Sequence, residues 1–239
     1  MVLFTLEKNE DIAIVKMING TNRQNLDFAR ELIKLFDEIL ADNDINSIIL
    51  TSSDEKNFSQ GVDVEWLMKK FEQKDFDSIR SFLYTMNDVF KKLLLMPVPV
   101  IAAINGHAFG NGAMLACACD FRFMRKDKGY FCFPEVDIKI PFLPGMIAFV
   151  RKAIPEYKFN ELKLTGKKAT ASELFEHHII EKACDGQTSL IEESCAFAKQ
   201  FKKNRQIFFE HKKRMYKHII KIMDNEDPEF IDPVNLFIP

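Results

Sequence analysis

Two glycine-bearing loops are the places in this sequence where backbone groups could do chemistry. The first is Phe58-Ser59-Gln60-Gly61-Val62-Asp63 and the second is Gly106-His107-Ala108-Phe109-Gly110-Asn111-Gly112. Each leaves a predicted strand and enters a predicted helix. A helix start exposes unpaired N–H groups and the positive end of the macrodipole. Glycine lets a backbone approach closely or take dihedrals closed to other residues. Two such ends aimed at one point form an oxyanion hole that can hold an enolate oxygen. Either loop alone reads more readily as a plain connecting turn than as a site.

The candidate acid/base side chains are few. Glu135 and Asp137 lie in Pro134-Glu135-Val136-Asp137-Ile138 and read as same-face residues at a strand end. On that reading Asp137 is a salt-bridge partner or a reserve acid/base group. Asp63 sits where a helix cap is needed, and Asp120 where a loop must be oriented. His107 reads as structural. His177 and His178 are adjacent, with no cysteine or acid at metal-ligand spacing, so no metal site is expected. Gly166-Lys167 lacks the upstream glycine of a phosphate loop, and no G-x-S-x-G elbow occurs.

The elements that must position these groups follow from periodicity. Residues 11–17 predict an Ile/Val-rich strand, and apolar spacing from Phe28 to Leu40 predicts a helix. A short strand over 47–50 ends in a Thr51-Ser52-Ser53-Asp54 turn. Helices are predicted over 64–71, capped by Asp63, and over 78–96, stopped by Pro97. Residues 98–104 form a wholly apolar strand, as expected for one buried on both faces. A buried helix over 114–119 and strands over 121–124 and 130–133 follow. From Gly145 onward the pattern is almost wholly helical, with a change of character near Gly186. The fold class is therefore α/β, divided into a core of residues 1–186 and a helical segment of 187–239.

Composition bounds the function classes. The 239 residues suit one large domain that needs no disulfide or metal staple. Thirty-three basic against 35 acidic side chains leave a charge of −2, against a general nucleic-acid binder. Five cysteines without a C-x-x-C pair read as free thiols in a reducing compartment. The apolar stretch over 93–104 is too short to span a bilayer and is broken by Pro97 and Pro99. Glu7, Lys8 and Glu10 fit no signal-peptide core, so the cytoplasm is expected.

Taken together, the motifs resemble the crotonase (enoyl-CoA hydratase/isomerase) family. The resemblance is carried by residues 57–63, then by Pro99-Val100-Ile101-Ala102-Ala103-Ile104-Asn105-Gly106 with Ala108 to Gly112. It continues through Asp120-Phe121-Arg122, Phe133-Pro134-Glu135 and Leu164-Thr165-Gly166-Lys167-Lys168-Ala169-Thr170-Ala171, with a looser match at Thr21-Asn22-Arg23. It spans about residues 3 to 200 in the family's order. It implies a spiral of ββα turns that holds an acyl-CoA thioester carbonyl on the N–H groups of Val62 and Asn111. The latter position is usually glycine, and Asn tolerates left-handed backbone better than most residues. Gln60, Gly61, Asp63, Trp66 and Gly110 are the implied substrate-binding positions, with the adenosine end near residues 60–63. Leu67 and Phe71 could line an acyl pocket beside Trp66.

The resemblance also separates reactions. The hydratase branch uses two glutamates, and the first falls here at Met114, which cannot transfer a proton. The second is Glu135. A lone carboxylate in an apolar pocket, its pKa raised by burial, favours isomerisation over hydration. The pattern is most similar to Δ3,Δ2-enoyl-CoA isomerases, and residues 134–138 to the plant peroxisomal type. A hydratase, a thioester hydrolase or an idle acyl-CoA-binding protein are the alternatives. No cofactor beyond the coenzyme A of the substrate is implied. A homotrimer or pair of trimers is expected, with Phe208, Phe209, Tyr216, Ile219 and Ile220 at the contact. The lysine-rich stretch over 201–222, read as one helix, is a solvated face by default, and the resemblance adds that one of its lysines could reach a CoA phosphate.

Overall fold

Runs of aliphatic residues build the sheet on which the rest is laid. In the computed structural model, which describes residues 2–236, β1 (Phe4–Asn9) and β2 (Ile12–Met17) form an antiparallel hairpin. Next come β3 (Arg23–Gln24), α1 (Leu26–Ala41), β4 (Ser47–Ser52), β5 (Asn57–Ser59), β6 (Gly61–Val62), α2 (Val64–Glu72) and α3 (Phe76–Leu95). Then follow β7 (Val100–Ile104), β8 (His107–Phe109), α4 (Asn111–Ala118), β9 (Phe121–Arg125), β10 (Phe131–Cys132) and a 3-10 turn (Pro134–Val136). The remainder is α5 (Pro144–Arg151), α6 (Glu156–Thr165), α7 (Ala171–Glu176), β11 (Lys182–Cys184) and α8 (Gly186–Ala198). It closes with α9 (Arg205–Met215), α10 (Lys217–Asn225) and α11 (Pro228–Ile231).

The main sheet has the order β1-β2-β4-β7-β9-β11 and is parallel beyond the first hairpin. A second parallel sheet has the order β10-β8-β5. Three successive turns, β4–β5, β7–β8 and β9–β10, thus give one strand to each of these sheets, the expected spiral of ββα units, and β3 pairs with β6 as a separate two-stranded sheet. Alternation splits β7 between two cores: Val100, Ala102 and Ile104 face the helices α1, α3 and α4, while Ile101 and Ala103 face α8. This is the both-faces burial that its unbroken apolar run predicts. Its first residue is Val100, two later than expected, because Pro99 has no N–H for the ladder.

Four expectations change. β11 adds a strand to the main sheet inside the stretch read as helical after Gly145. Its three residues are too few to show a period. Glu135 and Asp137 lie on a 3-10 turn, not a strand, so they do not share a face. Glu135 is buried, whereas Asp137 is exposed with its carboxylate beside Gly166, which removes it as a reserve acid/base group. The helix read through residues 201–222 breaks at Tyr216 into α9 and α10, and Ile219 is buried in the chain's own core. Finally, α8 covers the sheet with Leu190, Cys195 and Ala198, so packing continues across residue 186. Among the described residues, no helix is long and apolar enough to cross a membrane.

Lys212 departs from the solvated face expected of its helix. Its ammonium is buried, donating to Leu93 O at 3.0 Å and to Asp120 Oδ2 at 2.9 Å. The same carboxylate oxygen accepts the Val100 N–H at 2.9 Å, which ties the start of β7 to α9. Removing one partner of such a pair leaves an uncompensated buried charge. Lys212→Met should therefore lower unfolding free energy by about 3–5 kcal/mol. Adding Asp120→Asn, which keeps an acceptor for Val100, should restore most of that loss in urea melts.

Candidate active site

The two glycine loops meet because neither carries a Cβ at the contact. A Cβ on Gly61 would lie 2.7 Å from Phe109 O and 3.0 Å from Asn111 N, and one on Gly112 would lie 2.3 Å from Ser59 O. Gly61 also has φ +79°, a conformation open to glycine. Buried amides lock the contact. Asn111 Nδ2 donates to Gln24 Oε1 at 2.6 Å, Gln24 Nε2 donates to Ser59 Oγ at 3.1 Å, and Ser59 Oγ donates to Asn22 O at 2.7 Å. Val62 sits on β6 beside Gln24, and Asn111 is the first residue of α4, where N–H groups have no intrahelical acceptor. The far end of α4 is capped by two cations, the buried Arg122 and the half-buried Lys152: Arg122 Nη1 and Lys152 Nζ donate to Cys119 O at 3.0 and 2.8 Å. Both charges oppose the negative end of the helix dipole.

Val62, Gly110, Asn111, Met114 and Glu135 line one cavity of about 150 Å³. Gln60, Leu67, Phe82, Phe142, Met146, Phe230, Asn235 and Leu236 complete much of its wall, and Glu135 is the only titratable side chain among the described residues lining it. Glu135 is 7% exposed, and its Oε2 is buried with no hydrogen-bond partner among the described residues. Burial pushes its pKa up from 4.5 to about 7, opposed by its own backbone N–H and by the charge of Lys163. Gly110 makes room for it: at φ +53°, a Cβ there would stand 3.0 Å from Glu135 Oε1. A base that ionises near neutrality, an apolar chamber and two converging loops suit proton transfer next to a carbonyl.

The other expected positions separate. Gln60 and Gly110 are on the cavity wall, as is Leu67. Gly61 lies behind the wall as the loop contact. Asp63 caps α2, accepting the Trp66 N–H at 3.2 Å, and receives Asn25 Nδ2 at 3.4 Å. Trp66 packs edge-on against Phe82 at 5.5 Å, one layer behind the wall. His107 accepts the Tyr130 N–H at 3.2 Å, a structural contact. Sequence reasoning missed Gln24, one residue past the loose match at 21–23; Ser59 stands in the first loop, but nothing there signals its bond to Gln24. It also missed the walls from 138–146 and 230–236, which no local pattern links to the loops.

Comparison with known proteins gives consistent matches. The family model described as Enoyl-CoA hydratase/isomerase matches residues 7–228. "Enoyl-CoA delta isomerase 2, peroxisomal" of Arabidopsis thaliana is 28% identical over 236 residues, covering 96% of this chain and 98% of that one. "Enoyl-CoA delta isomerase 3" of the same plant is 28% identical over 232 residues, covering 92% and 94%. A crystal structure of enoyl-CoA hydratase from Bacillus halodurans superposes with a TM-score of 0.86 at 21% identity, covering 97% and 94%. At that identity the likeness speaks for the fold. The peroxisomal name of the first relative lends no support to the cytoplasmic expectation.

The buried carboxyl sets a pH dependence of stability. Its folded-state pKa is raised, so the native state binds the proton more tightly than the unfolded chain. Stability then falls as pH rises from 4.5 to about 7 and is flat above. The full penalty is on the order of 3 kcal/mol. Glu135→Gln should remove it, raising unfolding free energy more at pH 8 than at pH 5, by about 2 kcal/mol. Denaturant titrations of both proteins at the two pH values check this.

Proposed function

Because the chain belongs to the enoyl-CoA hydratase/isomerase family, we propose that it converts a 3-enoyl-CoA to the trans-2-enoyl-CoA with Glu135 as its single acid/base group. The observation that carries this reading is the asymmetry of the cavity wall. Glu135 faces the chamber, and the Met114 thioether stands where a second carboxylate would be needed to activate water. In this reaction Glu135 takes a proton from C2, the electrons pass into a dienolate, and the proton returns at C4. The double bond moves from C3–C4 to C2–C3 without oxidation or reduction. The N–H groups of Val62 and Asn111 hold the enolate oxygen. They stabilise charge that develops only during the reaction. A pKa of about 7 leaves roughly half of the base ionised at neutral pH.

The apolar wall of Phe82, Leu83, Phe142, Leu143 and Met146 suits an acyl chain. Coenzyme A enters as part of the substrate, and no further cofactor is proposed. The expected trimer or pair of trimers belongs to the same reading. It is supported by Ile207 and Met215, which are exposed on α9.

Purified protein should isomerise 3-enoyl-CoA and hydrate 2-enoyl-CoA poorly when the two assays run side by side. Glu135→Gln should lower isomerase turnover by at least about 100-fold, with CoA-ester binding little changed. Full activity in that variant would refute the mechanism. Met114→Glu should add measurable hydration, provided its fold is first checked, since the new buried charge can cost several kcal/mol. Val62→Pro deletes a donor and should lower turnover by about 100-fold or more.

A further inference from the structure

We propose that Lys163 is a positioning residue for Glu135: its ammonium, held on the face of Phe142, is the counter-charge that lets a carboxylate form in the apolar chamber. The inference rests on the reading of Glu135 as the base.

Glu135 lines two cavities. The first is the chamber already described, and the second, on its other side, is an open cleft lined by Lys139, Ile140, Phe142, Phe159 and Lys163. Phe142 belongs to both walls. The Lys163 Nζ stands 3.7 Å from the centroid of the Phe142 ring, so the cation is seated on an aromatic face. Among the described residues it makes no ion pair or hydrogen bond, in contrast to Lys158 and Lys167 on either side, which share Glu161 and Glu173. Glu135 Oε2 likewise lacks a partner. Two unpaired opposite charges therefore flank one wall. Seating Lys163 on the ring, and not on the carboxylate, leaves the carboxylate oxygens free for a proton.

The charge that acts on Glu135 among the described residues is that of Lys163, while Lys168, a cation acting on Cys132, stands 6.0 Å from the Phe109 ring centroid. Among the described residues, α4, α5 and the 230–236 segment face Glu135 with Asn111, Met114, Met146, Phe230, Asn235 and Leu236, none of them titratable. On β10, burial first and the Glu135 charge second push the Cys132 thiol up to about 11, so it stays neutral. In Glu135's own loop, Asp137 points to Gly166, and Lys139 lies exposed on the rim of the cleft. The field of Lys163 lowers the Glu135 pKa against the dominant effect of burial; burial in turn lowers the pKa of Lys163, and the field of Glu135 opposes that.

The test is a ¹³C-carboxyl NMR titration, with the Glu135 signal identified by its absence in Glu135→Gln, run beside pH profiles of kcat/KM. Lys163→Met should move both the Glu135 midpoint and the acidic limb upward by at least about half a unit, a roughly threefold loss of rate below neutrality. Lys163→Arg keeps the charge and should leave both in place, as should Lys139→Met. Should Lys163→Met fold poorly, Lys163→Gln carries the same prediction. A Glu135 midpoint unmoved in the neutral variants overturns the inference. Full activity in Glu135→Gln would instead remove the isomerase reading, and the NMR midpoint would still report on Lys163.

Discussion

The close backbone contact between the two loops is the constraint from which the site follows. Gly112 sits against Ser59, and Gly61 against Phe109 and Asn111, at separations that no side chain could share. Such an approach is useful only if it is rigid, and rigidity comes from two sources. Parallel pairing of β4 with β7, Ile48 opposite Val100, fixes the relative height of successive turns of the spiral. The Asn22–Ser59–Gln24–Asn111 chain of hydrogen bonds then fixes the loops laterally. Every member of that chain is buried, so water offers little competition. The amide of Asn111 does here what glycine could not, because it has a side chain to tie down.

The second organising fact is a charge kept poorly solvated. A buried carboxylate without a hydrogen bond to one oxygen is costly, and the fold tolerates it at Glu135. Other buried charges among the described residues are matched: Lys212 by Asp120, Lys158 by Glu161 and Glu173, and Asp227 by the Gly145 N–H and Asn87 Nδ2. The contrast sets Glu135 apart from the buried charges whose partners stabilise the molecule. A strained or unsatisfied group at a site is what a stability-for-function exchange looks like.

Much of this was legible before any coordinates. The apolar run at residues 100–104, the cap at Asp63 and the stop at Pro97 are local signals, and the structure reproduces them to within a few residues. The two loops could be named because glycine marks places where backbones must pass closely. What local pattern could not supply was the geometry of residues 134–136. A carboxylate two residues from another reads as same-face only if the backbone is extended, and a proline-led 3-10 turn breaks that period. The break at Tyr216 and the burial of Lys212 were equally hidden, since a lysine's partner 92 positions away leaves no trace in its neighbours. The unpaired Lys163 was indistinguishable from the lysines around it for the same reason.

Part of the chamber wall comes from Phe230, Asn235 and Leu236, more than 90 residues after Glu135. This last segment is pinned by Asp227 to the start of α5, through the Gly145 N–H at 2.7 Å, and by Asp232 to the Tyr84 hydroxyl at 2.6 Å. Neither strand order nor the main core depends on it. During synthesis the N-terminal turns can collapse first, because their partners have already emerged. The chamber, however, stays unroofed until the ribosome has delivered residues 230–236. Closure of the chamber thus waits on this late segment, and a chain lacking residues 230–236 would leave the Glu135 side of the wall open to water.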